Sequence, residues 1–252
     1  FLKIKKNLRK FIIFIYILLI SISVFISGER TAIIMLLMFY FLTFLVFKKI
    51  NKEFFISLVI IPLIGFILLS SNSNFQNRII QKTYTDIISK IDKNSDNLYK
   101  INFFSIQHEV VFKTSIKIFN DNKYFGIGPK MFRVICNNKK YYTYTEQDRS
   151  INGCQSHPHN TYIQILTETG IFGFFIFCIF YLFFLGNLLK LIFYKKFDLN
   201  EPITLLNVFS CISIVINFWP IFPTGNFFNN WLSIVYYLPI SFYFYSLNKM
   251  KL

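Results

Sequence analysis

Six stretches of this chain are long and apolar enough to cross a hydrocarbon core of about 30 Å, allowing for tilt and ragged ends. They run Phe11 to Ile26, Ala32 to Phe47, Phe54 to Leu69, Ile171 to Phe193, Ile203 to Phe222 and Trp231 to Leu247. Backbone facing lipid must satisfy its N–H and C=O groups internally, so each stretch is expected to be helical. The expected fold is an all-α, polytopic integral membrane helix bundle. Composition agrees: 54% of the 252 residues are hydrophobic and 20% aromatic, with a mean hydropathy of +0.47. Soluble domains average roughly 45 to 50% apolar.

Short loops rich in Lys and Arg resist translocation, which orients the stretches. Lys3 to Lys10, then Lys48, Lys49 and Lys52, then Lys190, Lys195 and Lys196, and last Lys249 and Lys251 fall on the cytoplasmic side. The turn Ser27 to Thr31, the long segment Ser70 to Gly170 and the turn Pro223 to Asn230 fall outside. Long segments cross largely regardless of charge, so the lysines of the second do not oppose this. The expected organisation is three transmembrane helices in 1–69, an extracytoplasmic loop domain with amphipathic helices in 70–170, and three transmembrane helices in 171–252. Phe1, and a basic stretch running into an apolar one without a small-residue cleavage site, read as a fragment lacking its N-terminus rather than a signal peptide.

A net charge of +15 and a pI near 9.6 raise nucleic acid as a partner. That role needs the charge clustered on a soluble face, whereas here it is scattered and many lysines end apolar runs, so no nucleic acid is expected.

Within the long segment, His108 to Asn120 reads as an amphipathic helix. It sets His108, Phe112, Ser115, Ile116 and Phe119 on one side, with Glu109 and Lys113 spaced to pair on another. Asn120-Asp121-Asn122 ends it, and Gly126-Ile127-Gly128-Pro129 makes a turn that demands unusual backbone angles. No strand pattern precedes that turn, which rejects a dinucleotide loop. Cys136 and Cys154 lie in the external segment, while Cys178 and Cys211 lie in spans. An oxidising compartment permits a Cys136–Cys154 disulfide; two unpaired thiols fit the spacing as well.

The spans carry no Asp, Glu, Lys, Arg or His in their middles, which disfavours a coupled transporter. Ionisable groups gather instead at the outer boundary, in Ser27-Gly28-Glu29-Arg30-Thr31 and His157-Pro158-His159-Asn160. Arg30 suits bidentate binding of a diphosphate, although anchoring a helix end or pairing with Glu29 accounts for it too. His159 precedes the N-cap residue Asn160 of a short helix, Thr161 to Thr169, which Gly170 ends. At a helix N-terminus its imidazole is expected to stay neutral and to act as a general base toward a hydroxyl. Asn160, Gln164 and Glu168 form one stripe, for which a cap and a solvated helix face account. Cys154, His157, His159 and His108 match no zinc-finger spacing, and no metal site is expected.

A His-Asn pair, nine residues and then Gly-x-x-Gly at the head of a span, here His159-Asn160 and Gly170-Ile171-Phe172-Gly173, resembles the hallmark of the O-antigen ligase and polymerase superfamily. The string from Ser156 to Gly170 is similar throughout. Phe119 to Phe132 is similar to the family's turn before the external loop, and Ser27 to Ala32 to its arginine motif between spans. The chain departs from that pattern at Ile34, where Leu is expected, and at His108, where a second arginine often heads the amphipathic helix; Arg78 stands as the alternative phosphate contact.

The resemblance implies a bacterial inner-membrane glycosyltransferase whose site faces the periplasm and which uses no cofactor and no metal ion. Its partners would be a polyprenyl-diphosphate-linked glycan donor, a lipid-core or glycan acceptor and membrane lipid; oligomeric state carries no sequence signal. Arg30 would stabilise the departing diphosphate and His159 would deprotonate the acceptor hydroxyl, with Arg78, His108, Asn160, Gln164 and Glu168 binding substrate. The alternatives are an O-antigen polymerase joining lipid-linked repeat units, and a non-catalytic protein that binds or transports lipid-linked glycan.

Overall fold

The structure, a computed structural model, describes residues 6–47, 63, 65, 67, 73–90, 99–101, 104–144, 152–193 and 201–251. The third expected span, Phe54 to Leu69, lies outside them apart from Leu63, Gly65 and Ile67, which are helical; Lys3, Lys5, Lys48, Lys49, Lys52, Lys195 and Lys196 also lie outside. Chain contacts divide the molecule into two compact units, Phe1–Thr85 and Asp86–Leu252.

The first unit begins with a helical hairpin, α1 (Lys6–Ser27) and α2 (Arg30–Phe47). Gly28 turns the chain at φ 63°, and Ser27 Oγ accepts the Glu29 N–H at 3.2 Å. Ser21 and Tyr40 bond side chain to side chain across the hairpin at 3.0 Å, beside a cluster of Phe25, Tyr40, Ile17, Ile33 and Leu36. Pairing a buried hydroxyl with a phenol satisfies both where water is excluded. Further along come α3 (Ser73–Gln76), a π-helical turn Asn77–Gln81 and α4 (Lys82–Ile87), within which the boundary between the two units falls after Thr85.

The second unit opens with a small antiparallel pair, β1 (Ile88–Lys90) and β2 (Tyr99–Ile101), with Ile88 opposite Ile101. Helix α5 (Ile106–Asp121) follows, then α6 (Phe132–Ile135) and a 3-10 turn Lys139–Tyr141. Glu109 and Lys113 pair at 2.8 Å, but the buried face of α5 shares only Ser115 with the expected stripe. Val110, Val111, Thr114, Ser115 and Ile118 point inward while Ile116 is exposed. The sequence stripe followed His108, Phe112 and Phe119; packing instead centres on Val111 and Ile118, which meet Phe132, Cys136 and Tyr141 in a compact core. A disulfide joins Cys136 to Cys154, with Cα atoms 5.0 Å apart.

Three helices complete the unit: α7 (Thr161–Phe193), α8 (Pro202–Asn217) and α9 (Asn230–Lys251). The chain break expected at Gly170 is present, at φ 70° and ψ −169°, so α7 is two helices, 161–169 and 171–193. Arg30–Phe47 and Thr161–Phe193 are long and apolar enough to cross a membrane, and Phe14–Ser27 and Pro202–Asn217 are shorter apolar helices. Phe184, Leu188, Val208 and Ile212 are buried between the helices, whereas Phe175, Ile176, Ile179 and Leu182 point outward and are exposed. A helix apolar on its outer face as well as its inner one belongs in lipid. Asn207 Nδ2 donates to Ser246 Oγ at 3.0 Å, tying α8 to α9 where water does not reach.

The fifth expected span, Ile203 to Phe222, is a shorter helix. Helix α8 stops at Asn217 and residues 218–229 form a loop. Pro220 lacks an N–H and disfavours helical geometry at Trp219, which sets the stop.

Candidate functional site

The short helix 161–169 is the centre of a polar network. Asn160 caps it: Oδ1 accepts the N–H groups of Tyr162 at 3.0 Å and Ile163 at 3.1 Å, as an N-cap asparagine should. Its Nδ2 donates to the carbonyls of Pro220 at 2.8 Å and Phe222 at 3.3 Å. The capping side chain thus also holds the loop between α8 and α9.

Gln164 and Glu168 lie one and two turns on, and both are completely buried. Gln164 Nε2 donates to Asn226 Oδ1 at 2.8 Å and to Glu168 Oε2 at 3.1 Å, and its Oε1 accepts the Phe227 N–H at 2.9 Å. Glu168 accepts the Lys130 N–H at 2.9 Å on Oε2 and the Phe132 N–H at 3.2 Å on Oε1. The stripe is therefore not a solvated face. The buried amide and carboxylate are turned onto backbone donors and acceptors of two loops, which is what keeps a polar group tolerable in an interior. These contacts turn the polar atoms of Asn160, Gln164 and Glu168 onto the protein's own backbone and side chains.

The loop after α5 closes the other end of the short helix. Ile127 and Gly128 donate to the carbonyls of Thr167 and Glu168 at 3.2 and 2.8 Å, and Ile171 donates to Lys123 O at 2.8 Å. A Cβ on Gly126 would strike the Glu168 backbone, and one on Gly170 the Tyr124 carbonyl. Gly170 also holds angles that side chains all but forbid. The glycines of two distant motifs are required because two backbones touch.

This framework holds the three histidines of the chain in one cluster. The ring of His159 lies 4.1 Å from that of His157 and 5.6 Å from that of His108, centroid to centroid. His159 adopts φ 58°, a left-handed conformation rare for a residue with a side chain, and its carbonyl is fixed by the Thr224 N–H at 2.9 Å. Such backbone persists only where surroundings impose it. His157 Nε2 lies 3.3 Å from the Thr224 carbonyl and Nδ1 2.9 Å from Ser156 Oγ. A carbonyl only accepts, so Nε2 carries the proton and Nδ1 accepts from the serine. His108 Nδ1 pairs with Ser105 Oγ at 2.7 Å.

Burial pushes the His157 pKa down to about 4, the neighbouring His159 adds to the shift, and the Thr224 carbonyl partly opposes it. Burial likewise lowers the pKa of His159. The direction is the one expected from a helix N-terminus, but its cause here is desolvation. Among the described residues, neither ring nitrogen of His159 has a hydrogen-bond partner, and no group of three or more His, Cys, Asp or Glu is arranged to hold a metal ion.

Arg30 is the first residue of α2, in the other unit. Its Nη1 donates to Thr83 Oγ1 of α4 at 3.0 Å, which brings the hairpin turn to the segment after the third expected span. Arg78 lies in the π-helical turn Asn77–Gln81.

The sequence singled out neither Thr224 and Asn226 nor Tyr162, whose hydroxyl donates to Phe218 O at 2.9 Å. A signal existed: Thr-Gly-Asn after proline, between two apolar helices, is polar chemistry with no helix to cap. A family model described as O-antigen ligase matches residues 15–178, which include Arg30, Arg78, the three histidines, Asn160, Gln164 and Glu168. No curated protein and no solved structure matches the chain.

Proposed function

Because the chain belongs to the O-antigen ligase family, we propose that it is a membrane glycosyltransferase of the ligase type. It moves a glycan from a polyprenyl-diphosphate carrier to a hydroxyl of a lipid core or another glycan, at the periplasmic face of the inner membrane. Residues 1–69 and 171–252 supply six spans and 70–170 the periplasmic domain. The polarity of the second unit supports this: residues 157–164 and the loop 218–229 bond at one end of 171–193, α8 and α9, while Lys190 and Lys249 lie toward the other.

The observation that carries the reading is His159 itself. It is held in a costly backbone conformation by a saturated network, and burial keeps it neutral. A neutral imidazole with a nitrogen to spare is a general base. In the transfer, His159 takes the acceptor hydroxyl proton, the hydroxyl oxygen bonds to the anomeric carbon, and the bond from that carbon to the diphosphate oxygen breaks. Polyprenyl diphosphate leaves with the electron pair, its charge matched by Arg30, with Arg78 as the second phosphate contact. His108, whose ring borders that of His159, is a further substrate contact; Asn160, Gln164 and Glu168 are positioning residues. Outside the cytoplasm no nucleotide sugar is at hand, which is why the donor must bring its own leaving group.

Arg30→Ala and His159→Ala are each expected to abolish glycan assembly with membrane insertion intact; full activity in either removes that residue from the mechanism. Deleting the gene and resolving glycans on a gel separates the alternatives. Long chains stranded on the carrier mark a ligase, single repeats on the lipid core mark a polymerase, and an unchanged pattern overturns both and leaves a non-catalytic binding or transport protein.

A further inference from the structure

The turn between α5 and α6 carries an unusual surface. Tyr124 and Phe125 are 66% and 79% exposed, and Val134 and Met131 beside them 55% and 38%. Apolar side chains this open, on the outside of a compact core, need a partner. Their position indicates which one. The Tyr124 and Phe125 rings lie 6.3 and 5.5 Å from that of Phe172, in the first turn of 171–193, and the Ile171 N–H bonds to Lys123 O. The turn is therefore level with the start of that helix, and its rings continue the outward apolar row of Phe172, Phe175 and Ile176.

A second helix start confirms the level. Lys130 Nζ reaches Asn230 Oδ1 at 3.5 Å, at the head of α9, and the next residue, Trp231, is 81% exposed. Tyrosine and tryptophan at the ends of membrane helices settle among lipid headgroups. Charge fits as well: Lys123, Lys130 and Arg133 flank the rings in sequence, and the acidic residue nearest in sequence, Asp121, is taken by Lys140 at 2.7 Å.

We propose that the turn 123–134 is a membrane contact in its own right, with Tyr124 and Phe125 seated in the leaflet beside Phe172 and Lys123, Lys130 and Arg133 gripping anionic headgroup phosphates. The inference rests on 171–193 lying in the bilayer, and not on the transfer chemistry. It has a consequence for the site, because Lys130 and Phe132 of this turn are the backbone partners of Glu168. The lipid surface is thereby connected by two bonds to the helix that His159 precedes.

The test uses the full chain in nanodiscs of phosphatidylcholine, with or without phosphatidylglycerol. Emission added by Phe125→Trp over the parent, which has Trp219 and Trp231, is expected to be blue-shifted and quenched by acyl-brominated lipid. Emission added by Ile116→Trp, on the exposed side of α5, is expected to be quenched by aqueous acrylamide instead. Phe125→Trp emission open to acrylamide, or shielded from both quenchers by a covering protein, overturns the insertion. For the headgroups, the parent is expected to prefer spin-labelled phosphatidylglycerol over phosphatidylcholine. Replacing Lys123, Lys130 and Arg133 by Gln should weaken that preference by up to about fivefold per charge; an unchanged preference overturns the phosphate contacts. Glycan transfer measured alongside keeps this outcome separate from that of the proposed reaction.

Discussion

Helix α7 is one element by hydrogen bonding and two by physics, and Gly170 is the seam. Before it, Asn160, Gln164, Thr167 and Glu168 are buried and every one is bonded. After it, Phe175, Ile176, Ile179 and Leu182 face outward and are exposed. The first half derives its stability from satisfied polar groups and therefore fixes the positions of two loops. The second derives it from an apolar surround, which fixes depth and little else. A site that must hold one imidazole in place belongs on the first half, and an anchor on the second.

The sharpest way to break this contrast is at the seam. Gly170→Ala meets the Tyr124 carbonyl and a backbone region open almost only to glycine, a strain of about 1 to 3 kcal/mol before the clash is counted. Glycan transfer should be lost, and hydrogen exchange should rise across 122–132 and 157–169 but not across 175–190; uniform exchange would mean the halves are not separate.

Glu168→Ala removes the acceptor of the Lys130 and Phe132 N–H groups and one of the two acceptors of Gln164 Nε2, at a cost on the order of 3 kcal/mol. Thermal unfolding in detergent should move down accordingly, and Glu168→Gln should recover part of the loss. A wild-type melting curve for the alanine variant would show that water replaces the carboxylate.

Acid comes next. His157 in the unfolded chain binds its proton near pH 6.5, but in the folded chain only near 4. The unfolded state thus binds more protons as pH falls through that window, so stability is full above it and declines toward pH 4. His157→Gln should flatten that part of the stability profile, measured by melting from pH 7 to 4. The smallest effect belongs to the apolar half: Ile176→Val, on an exposed face, should change stability by less than about 0.5 kcal/mol. A penalty comparable to that of Glu168→Ala would reveal protein, not lipid, against Ile176.

The same contrast explains what was legible in the sequence. The two helices long and apolar enough to cross a membrane, the Gly170 stop and the Asn160 cap are local: apolar run length, a glycine and a capping residue announce them. The inward turn of Gln164 and Glu168 is not local, since periodicity sees two polar residues on a stripe and reads water. Only the arrival of Lys130, Phe132, Asn226 and Phe227 makes that stripe an interior. The face of α5 is legible only at Ser115 for the same reason, as the large aromatics draw the stripe while tertiary packing buries Val110, Val111, Thr114 and Ile118. Helix α8 ended early at a proline already in view.

One consequence concerns where the histidine segment finds its support. The family match ends at residue 178, yet Thr224 receives His157 and holds His159, and Asn226 and Phe227 complete Gln164. A chain cut after 178 would retain every residue of the signature and lose the clamp that keeps its imidazole in register. In this molecule the recognisable motif and the apparatus that makes it rigid are encoded some sixty positions apart, and swapping one between chains without the other would carry over the letters without the shape.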